Sequence, residues 1–318
     1  MTSGRTVTTF LLETPDGLLL LVYRWLPEKP VKAVVRIAHE WAEHAGRYAR
    51  VADALCREGY AVYANDHRGH GRTARTPAEI GFFSERDGWT RCVGDLWQLH
   101  QHIAASHPRT PIVAFGHSMG SFMTQHFISE HGDSLAGAVL SGSNGAPPRT
   151  ARVGLWLAAL ERLRVGPRGK SPLLKALVFG AFNKPFKPAR TPFAWLSRDP
   201  LEVDRYIADP LCGGFEPTVQ LYIDILGALT DLTTPARLAR IPKQLPVYIF
   251  GGSREPVARN IGQLLEAYCA AGLTAVTHKF YPDGRHESLN ELNRDEVTQD
   301  LSVVAHVAPP QLLAVPPR

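Results

Sequence analysis

Residues 116–120 constrain this chain more than any other segment, because they have the form Gly-x-Ser-x-Gly and directly follow the apolar run 111–115. The apolar run predicts a buried strand, and residues 121–131 predict a helix after it. A serine between a strand and a helix lies on a tight turn, where side chains two positions before and after it would collide with the backbone. The glycines at those positions therefore predict a nucleophile elbow with Ser118 exposed at its tip.

Ser118 is the candidate nucleophile, and the backbone N–H of Met119 is a candidate donor to an oxyanion. The N-terminus of the following helix presents free N–H groups, and the helix dipole favours negative charge there. A lone Gly-x-Ser-x-Gly is only a moderate signal in a chain with 27 glycines. The assignment therefore depends on finding the other groups that a serine nucleophile needs.

A base and an acid for Ser118 are needed, because a serine hydroxyl reacts poorly unless a base takes its proton and an acid orients that base. Residues 244–252 predict a buried strand that ends in a glycine turn, and Glu255 follows it. Residues 276–281 predict a second strand, and the turn after it delivers His286. The order serine, acid, histidine is one in which such triads occur. Glu255 and His286 are therefore the candidate acid and base.

Two other carboxylates compete with Glu255, because Asp283 and Glu287 lie close to His286 in the sequence. Glu255 is favoured, since it follows the end of a strand, whereas Asp283 belongs to the turn that delivers the histidine. Glu287 is expected to point away from His286.

Several segments together resemble the α/β-hydrolases of the monoacylglycerol lipase and lysophospholipase branch, which also includes serine aminopeptidases and haloperoxidase-like members. They are residues 39–44 with 47–48, 65–71, 116–120 and 281–287. The resemblance implies an α/β-hydrolase fold, with a mostly parallel eight-stranded sheet flanked by helices. It also implies a mainly helical cap inserted after the sixth strand.

The resemblance also implies a second oxyanion donor, the backbone N–H of Trp41. This residue lies in the loop after the predicted strand 33–38, where the fold needs such a donor. The family usually has aspartate where this chain has Glu255. A glutamate can orient a histidine as an aspartate does if its backbone lies farther from the histidine by the length of one methylene group.

A second departure from the family pattern lies beside Trp41, where His-Gly is replaced by His39-Glu40. A carboxylate ~4 Å from a developing oxyanion would cost about 4 kcal/mol at an effective dielectric constant of about 20. We therefore expect the Glu40 side chain to point away from the site, in a salt bridge with Arg36 or Arg68. The alternative is that Glu40 faces the oxyanion and slows catalysis.

The alternation of strands and helices that a parallel sheet requires is interrupted in the middle of the chain. We interpret that interruption as a cap over the catalytic end of the sheet. The expected division is residues 1–144 as the first part of the hydrolase core, 145–241 as the cap, 242–308 as the second part of the core and 309–318 as a C-terminal tail.

The cap is expected to determine the substrate specificity. Four apolar side chains at helical spacing predict an amphipathic helix: Val153, Trp156, Leu157 and Leu160. Its apolar face would pack against the core or make weak peripheral contact with a membrane. The candidates for substrate binding in the cap share large apolar side chains: Trp156, Leu157, Phe182 and Trp195.

The composition excludes several classes of protein. The chain has 318 residues, of which 44% are hydrophobic, and this is enough for one large α/β domain with an insertion. The 35 Lys and Arg residues exceed the 30 Asp and Glu residues by only 5, without a long basic run, so no nucleic-acid partner is expected. No apolar stretch approaches the ~18 residues of a membrane span, and residues 1–7 lack the apolar part of a signal peptide. The expected location is the cytoplasm.

No metal or cofactor is implied by the sequence. The four cysteines have no metal-ligand spacing and are expected to be reduced: Cys56, Cys92, Cys212 and Cys269. His67 and His70 lie in a glycine-rich turn and are expected to have a structural role. The oligomeric state cannot be read from the sequence.

Three hypotheses for function follow. The favoured one is a serine carboxylester hydrolase that cleaves single-chain lipid esters, of the monoacylglycerol or lysophospholipid type, through an acyl-enzyme intermediate. The second is an aminopeptidase or another amide or ester hydrolase of the same fold, which should need an acidic group for the substrate ammonium. The third is a binding protein whose catalysis is weakened by Glu40.

Overall fold

The computed structural model describes residues 7–145, 150–257 and 260–307. Within these residues a single sheet has eight strands in the order β1-β2-β4-β3-β5-β6-β7-β8. The strands are β1 (Thr8–Glu13), β2 (Leu19–Trp25), β3 (Ala33–Ala38), β4 (Tyr60–Asn65), β5 (Ile112–His117), β6 (Gly137–Ser141), β7 (Val247–Gly252) and β8 (Val276–Tyr281). β2 pairs antiparallel with β1 and β4, and the other neighbouring strands are parallel.

Helices cover the sheet and also form the segment between β6 and β7. In the described parts of the chain the helices around the sheet are α1 (Ala49–Arg57), α2 (Gly88–Ser106), α3 (Met119–His131), α9 (Ile261–Ala270) and α10 (Arg294–Val307). Those between β6 and β7 are α4 (Thr150–Val165), α5 (Pro172–Phe179), α6 (Pro200–Ala208), α7 (Val219–Leu229) and α8 (Pro235–Ala239). Short 3-10 helices occur at Ala45–Tyr48, Pro77–Glu79, Gly132–Ser134, Lys184–Phe186 and Ser288–Asn290.

The burial of the strands follows from their place in the sheet. β3, β4, β5, β6 and β7 are buried at every residue, because helices cover both faces of a parallel sheet. The edge strand β1 instead alternates between exposed and half-buried side chains. Parallel strands direct their carboxyl ends to one edge, and this edge is where β3, β5, β7 and β8 lead into loops. The candidate catalytic residues all lie in those loops.

The predicted fold is confirmed, including the mainly helical insertion after the sixth strand. Every strand predicted above is present, with bounds that differ by three residues at most. The exact bounds of the insertion, 145 and 241, stay a prediction, and residues 309–318 lie outside the described residues. None of the described helices is long and apolar enough to cross a membrane. All four cysteines are free thiols.

The apolar face of α4 points outward rather than inward. Its small residues Gly154 and Ala158 are buried, and Ala158 packs in a cluster with Tyr222 of α7. The larger Trp156 is 62% exposed and Leu163 is 85% exposed. Small residues let α4 approach α7 closely, so the bulky side chains on the other faces remain in contact with solvent.

Candidate active site

The turn between β5 and α3 has the geometry of a nucleophile elbow. Ser118 has φ 49° and ψ −118°, and its N–H donates to the carbonyl of Ser141 at 2.8 Å. A Cβ on Gly116 would lie 2.2 Å from the carbonyl oxygen of Gly120. A Cβ on Gly120 would lie 2.0 Å from the carbonyl oxygen of Ala38. Only glycine fits at these two positions, as the motif predicts.

His286 lies buried at the same edge of the sheet and is held by Glu255. Its Nδ1 is 2.8 and 2.9 Å from the two carboxylate oxygens of Glu255, which also accepts the N–H of Val257 at 2.8 Å. Asp283 is exposed, and its backbone N–H donates to the side chain of Ser253 at 2.9 Å. Among the three carboxylates left open by the sequence, Glu255 is therefore the one that contacts Nδ1.

Glu40 points into the site, and the expectation that it points away is wrong. Its Oε2 lies 3.1 Å from Nε2 of His286 and 3.9 Å from Nε2 of His117. The Glu40 residue is only 3% exposed. The catalytic histidine candidate thus has a carboxylate on each ring nitrogen, Glu255 on one side and Glu40 on the other.

Neither arginine proposed as a partner is free to reach Glu40. Arg36 lies in the core, where its guanidinium donates to the carbonyl of Leu96 at 2.7 Å. Arg68 pairs with Asp95 at 2.6 Å. Both arginines are therefore engaged by groups that become neighbours only when α2 packs on the sheet.

A buried charged network sets the direction of Glu40. The carboxylate of Glu43 accepts the N–H of Glu40 at 2.9 Å, the hydroxyl of Tyr48 at 2.7 Å and the guanidinium of Arg47 at 2.5 Å. Arg47 also makes a bidentate pair with Glu287 at 2.6 and 2.9 Å. Because Glu287 adjoins His286, this network ties the loop after β3 to the turn that carries the histidine.

The pKa values of Glu40 and His286 are both raised. Burial raises the pKa of Glu40 to about 8, although its hydrogen bond to His286 opposes that shift. Burial lowers the pKa of His286, but the carboxylates of Glu255 and Glu40 outweigh it and hold the pKa well above the ordinary value. A proton on either atom would bridge Nε2 of His286 and Oε2 of Glu40, which lie 3.1 Å apart. In the described residues no hydrogen bond joins Ser118 to His286, because Glu40 occupies that side of the ring.

The two candidate oxyanion donors lie on adjoining segments. Met119 is the first residue of α3, so its N–H has no acceptor within the helix. The loop after β3 touches the elbow, since a Cβ on Gly120 would lie 2.6 Å from the carbonyl oxygen of His39. Trp41 follows in this loop, before a residue with positive φ, Ala42 at 61°.

A continuous row of aromatic rings runs from His286 to Trp41. The ring centroids of His286 and Trp195 are 5.2 Å apart, and those of Trp195 and Phe182 are 4.9 Å apart. Phe179 lies 5.6 Å from Phe182 and 5.2 Å from Trp41. We call Trp195, Phe182, Phe179 and Trp41 the aromatic row. Sequence reasoning found Trp195 and Phe182 but missed Phe179, because helical spacing alone does not show which face of α5 meets the site.

The other two cap candidates are farther from the catalytic groups. Leu157 is half-buried in the cluster that contains Trp41. Trp156 lies on the exposed side of α4. Their role in substrate binding stays a prediction.

Three buried histidines have different surroundings. His67 and His70 each direct a ring nitrogen at a backbone carbonyl, that of His39 at 3.2 Å and that of Arg68 at 2.8 Å, which fits the expected structural role. His117 was missed by sequence reasoning. Its Nδ1 lies 3.1 Å from the hydroxyl of Ser141, and burial lowers its pKa to about 3.

Comparisons with known proteins agree with this geometry. A model of the serine aminopeptidase S33 family matches residues 29–293. The monoacylglycerol lipase of Mycolicibacterium smegmatis is 28% identical over 295 residues, which cover 92% of this chain and 95% of that lipase. The monoglyceride lipase of Homo sapiens is 27% identical over 317 residues, covering 94% of this chain and 93% of that lipase.

A solved structure shows the same fold. The crystal structure of a thermostable carboxyl esterase from Bacillus coagulans superposes with a TM-score of 0.86 at 22% identity, covering 95% of this chain and 98% of that one. The family match confirms the resemblance drawn from the motifs. The chain belongs to the serine aminopeptidase S33 family of hydrolases, in the monoacylglycerol lipase and lysophospholipase-like branch of the α/β-hydrolases.

Proposed function

We propose that this protein is a serine carboxylester hydrolase that cleaves single-chain lipid esters, of the monoacylglycerol or lysophospholipid type, through an acyl-enzyme intermediate. The observation that carries the proposal is the His286–Glu255 pair beside the elbow of Ser118. The full-length similarity to two monoacylglycerol lipases supports the ester as the bond cleaved.

The proposed reaction begins when Glu40 keeps the proton that lies between it and His286, so that Nε2 of His286 is neutral and free to accept the proton of Ser118. The serine oxygen attacks the ester carbonyl, and the N–H groups of Trp41 and Met119 stabilise the oxyanion. His286 then returns the proton to the leaving alcohol as the C–O bond breaks. A water molecule, deprotonated by the same histidine, releases the fatty acid and restores Ser118.

The aromatic row supports an apolar acyl group as the substrate part that lies nearest to the catalytic histidine. Each buried methylene contributes about 0.8 kcal/mol of binding free energy. The exposed apolar side chains of the cap, among them Trp156, Leu163 and Leu177, support a weak contact with a lipid surface. The four free thiols agree with the cytoplasmic location that the sequence predicts.

An aminopeptidase activity is the second candidate, and Glu40 is the observation that favours it. Glu43 and Glu287 both pair with Arg47, so Glu40 is the carboxylate beside the elbow that could pair with a substrate ammonium. A comparison of octanoate esters with aminoacyl nitroanilides separates the two candidates. A higher kcat/KM for the nitroanilides would replace the lipase proposal with the peptidase.

The nucleophile is tested by labelling with a fluorophosphonate and mapping the modified residue. We expect the label on Ser118, and Ser118→Ala should lower ester turnover by several orders of magnitude while the melting temperature stays unchanged. Ser121→Ala is the matched control, since Ser121 lies one turn further along α3 and should not take the label. Labelling of another residue, or more than about a tenth of wild-type turnover in Ser118→Ala, would refute the assignment.

A further inference from the structure

We propose that Glu40, His117 and His286 form a binding site for a divalent transition-metal ion of the zinc type, and that the bound ion reversibly blocks the catalytic histidine. The three side chains are buried, and one ligand atom from each lies within 4.8 Å of the other two. Imidazole nitrogens and a carboxylate are the donors that zinc takes in sites with three protein ligands.

The separations between the donor atoms fit such an ion. Zinc bonds of about 2.0–2.2 Å at the tetrahedral angle place two ligand atoms ~3.4 Å apart. The distances from Oε2 of Glu40 are 3.1 Å to His286 and 3.9 Å to His117, one slightly short and one slightly long. Shifts of less than ~1 Å would bring all three atoms to bonding distance.

Two of the polar atoms at this point lack a partner in the described residues. They are Nε2 of His117 and Oε1 of Glu40, both buried. A buried polar atom without a hydrogen bond costs free energy, typically about 1–3 kcal/mol. A metal ion bound by Oε2 of Glu40 and the two histidines would satisfy Nε2 of His117 and would compensate the buried charge of Glu40.

The groups behind the two histidines orient them as ligands. Glu255 holds Nδ1 of His286, and the hydroxyl of Ser141 lies at Nδ1 of His117, which leaves Nε2 of both rings toward Glu40. Such outer partners fix the tautomer and ring direction of metal-ligating histidines. Gly142 lets the rings converge, since a Cβ there would lie 3.0 Å from His286 and 3.2 Å from His117.

The proposed ion would take the place of the contact between Nε2 of His286 and Oε2 of Glu40. With Nε2 bonded to the metal, His286 has no lone pair to accept the proton of Ser118, so ester turnover stops until the ion leaves. This inhibitory effect rests on the proposed function, whereas metal binding does not.

The test measures binding without catalysis. Metal-free Ser118→Ala protein is titrated with Zn²⁺ in a calorimeter, and we expect one ion per chain. Adding Glu40→Gln or His117→Gln should weaken binding by about 100-fold or more, since each removes one of three ligands. Circular dichroism and melting temperature establish that each variant is folded, and the two variants serve as independent tests.

Asp209→Asn is the matched control, because Asp209 belongs to another cluster able to hold a metal, with His44 and Cys212. It should leave the affinity unchanged. Absence of binding, an affinity in the two ligand variants equal to that of Ser118→Ala alone, or loss of binding in Asp209→Asn alone would overturn the proposal.

Inhibition is measured separately on the protein with Ser118 intact. Zn²⁺ should lower ester turnover in step with the occupancy measured by calorimetry, and a chelator should restore it. Turnover that rises with Zn²⁺, or that falls equally in Glu40→Gln, would refute the blocking role. If no ester is turned over at all while Ser118→Ala still binds Zn²⁺, the proposed function fails and the metal site stands.

Discussion

Glu40 gives His286 a second carboxylate contact in addition to Glu255. A serine hydrolase needs Nε2 of the histidine to face the serine, yet here Nε2 faces Glu40 at 3.1 Å. Two carboxylates around one imidazole favour the imidazolium, which cannot act as a base. At the residue scale, we propose that Glu40 competes with Ser118 for His286 and so affects the pH at which the histidine can act as a base.

Glu40→Gln is expected to shift the pH dependence of catalysis. The neutral form of His286 is the active base, so kcat/KM rises as the pH increases through its raised pKa. Removing the Glu40 charge lowers that pKa, and the acidic limb of the profile should move down by about one pH unit or more. The measurement is kcat/KM for a soluble octanoate ester from pH 5 to 9. The ester has no ionisable group in this range, so the profile reports ionisation of the enzyme.

Glu216→Gln is the control for this prediction, because Glu216 lies on the surface of the cap and pairs with Lys175. Its profile should match that of the wild type. An unchanged or upward-shifted limb in Glu40→Gln would mean that Glu40 does not set the pKa of the catalytic histidine.

The loop after β3 and the turn after β8 depend on a buried ion network. Arg47, from the 3-10 helix before α1, joins Glu43 of this loop to Glu287 of the turn. Burial raises the pKa of Glu287, but Arg47 more than compensates and lowers the pKa to about 2. The arginine thus keeps the buried Glu287 ionised and joins the loop after β3 to the turn that carries His286.

Arg47→Met is expected to lower the free energy of unfolding by about 3–5 kcal/mol at pH 7, because it leaves Glu43 and Glu287 buried without their cation. The pKa of Glu287 is lowered in the fold, so its stabilisation is present above the unfolded value and is lost as the pH falls toward 2. The destabilisation should therefore shrink below pH 4, as measured by urea unfolding. Arg190→Met, which breaks the exposed pair with Asp204, should cost less than about 1 kcal/mol. Equal losses in the two variants would contradict the proposed network.

At the scale of the whole molecule, the catalytic groups are covered. His286 is 0% exposed and Ser118 is 7% exposed, so we expect that the proposed lipid ester reaches them only after movement of the segment between β6 and β7. Such opening exchanges contacts among apolar rings for contacts with the acyl chain. We therefore expect the aromatic row to contact the acyl chain after the cap opens, so that kcat/KM depends on the length of that chain.

The dependence of kcat/KM on acyl length tests this reading. From acetate to octanoate esters kcat/KM should rise by on the order of 1,000-fold, because the six additional methylene groups contribute about 0.8 kcal/mol each when they are buried. Phe182→Ala should flatten that increase while changing the acetate value little. Phe193→Ala is the matched control, since Phe193 packs on Tyr206 rather than in the aromatic row. A flat length profile in the wild type would exclude an apolar acyl site.

The strands, the elbow and the order of the candidate triad could be predicted from the chain alone, because they depend on local patterns. Residues 111–120 are a buried apolar run followed by glycines at the two positions where a Cβ would strike the backbone. Glu255 and His286 could be found because each follows the end of a strand, and parallel strands end at a common edge.

The direction of Glu40 and the position of His117 were decided only by the tertiary structure. Arg36 and Arg68 seemed free in the sequence, but packing of α2 on the sheet engages both. The network of Glu43 and Arg47 turns the Glu40 backbone toward His286, and Arg47 reaches Glu287 across 240 residues of chain. The orientation of a charged side chain depends on the partners that the fold brings within a few ångströms of it. Such partners are distant in the sequence. The sequence therefore determined which elements end at the active edge, and the packing between them determined which side chains meet there.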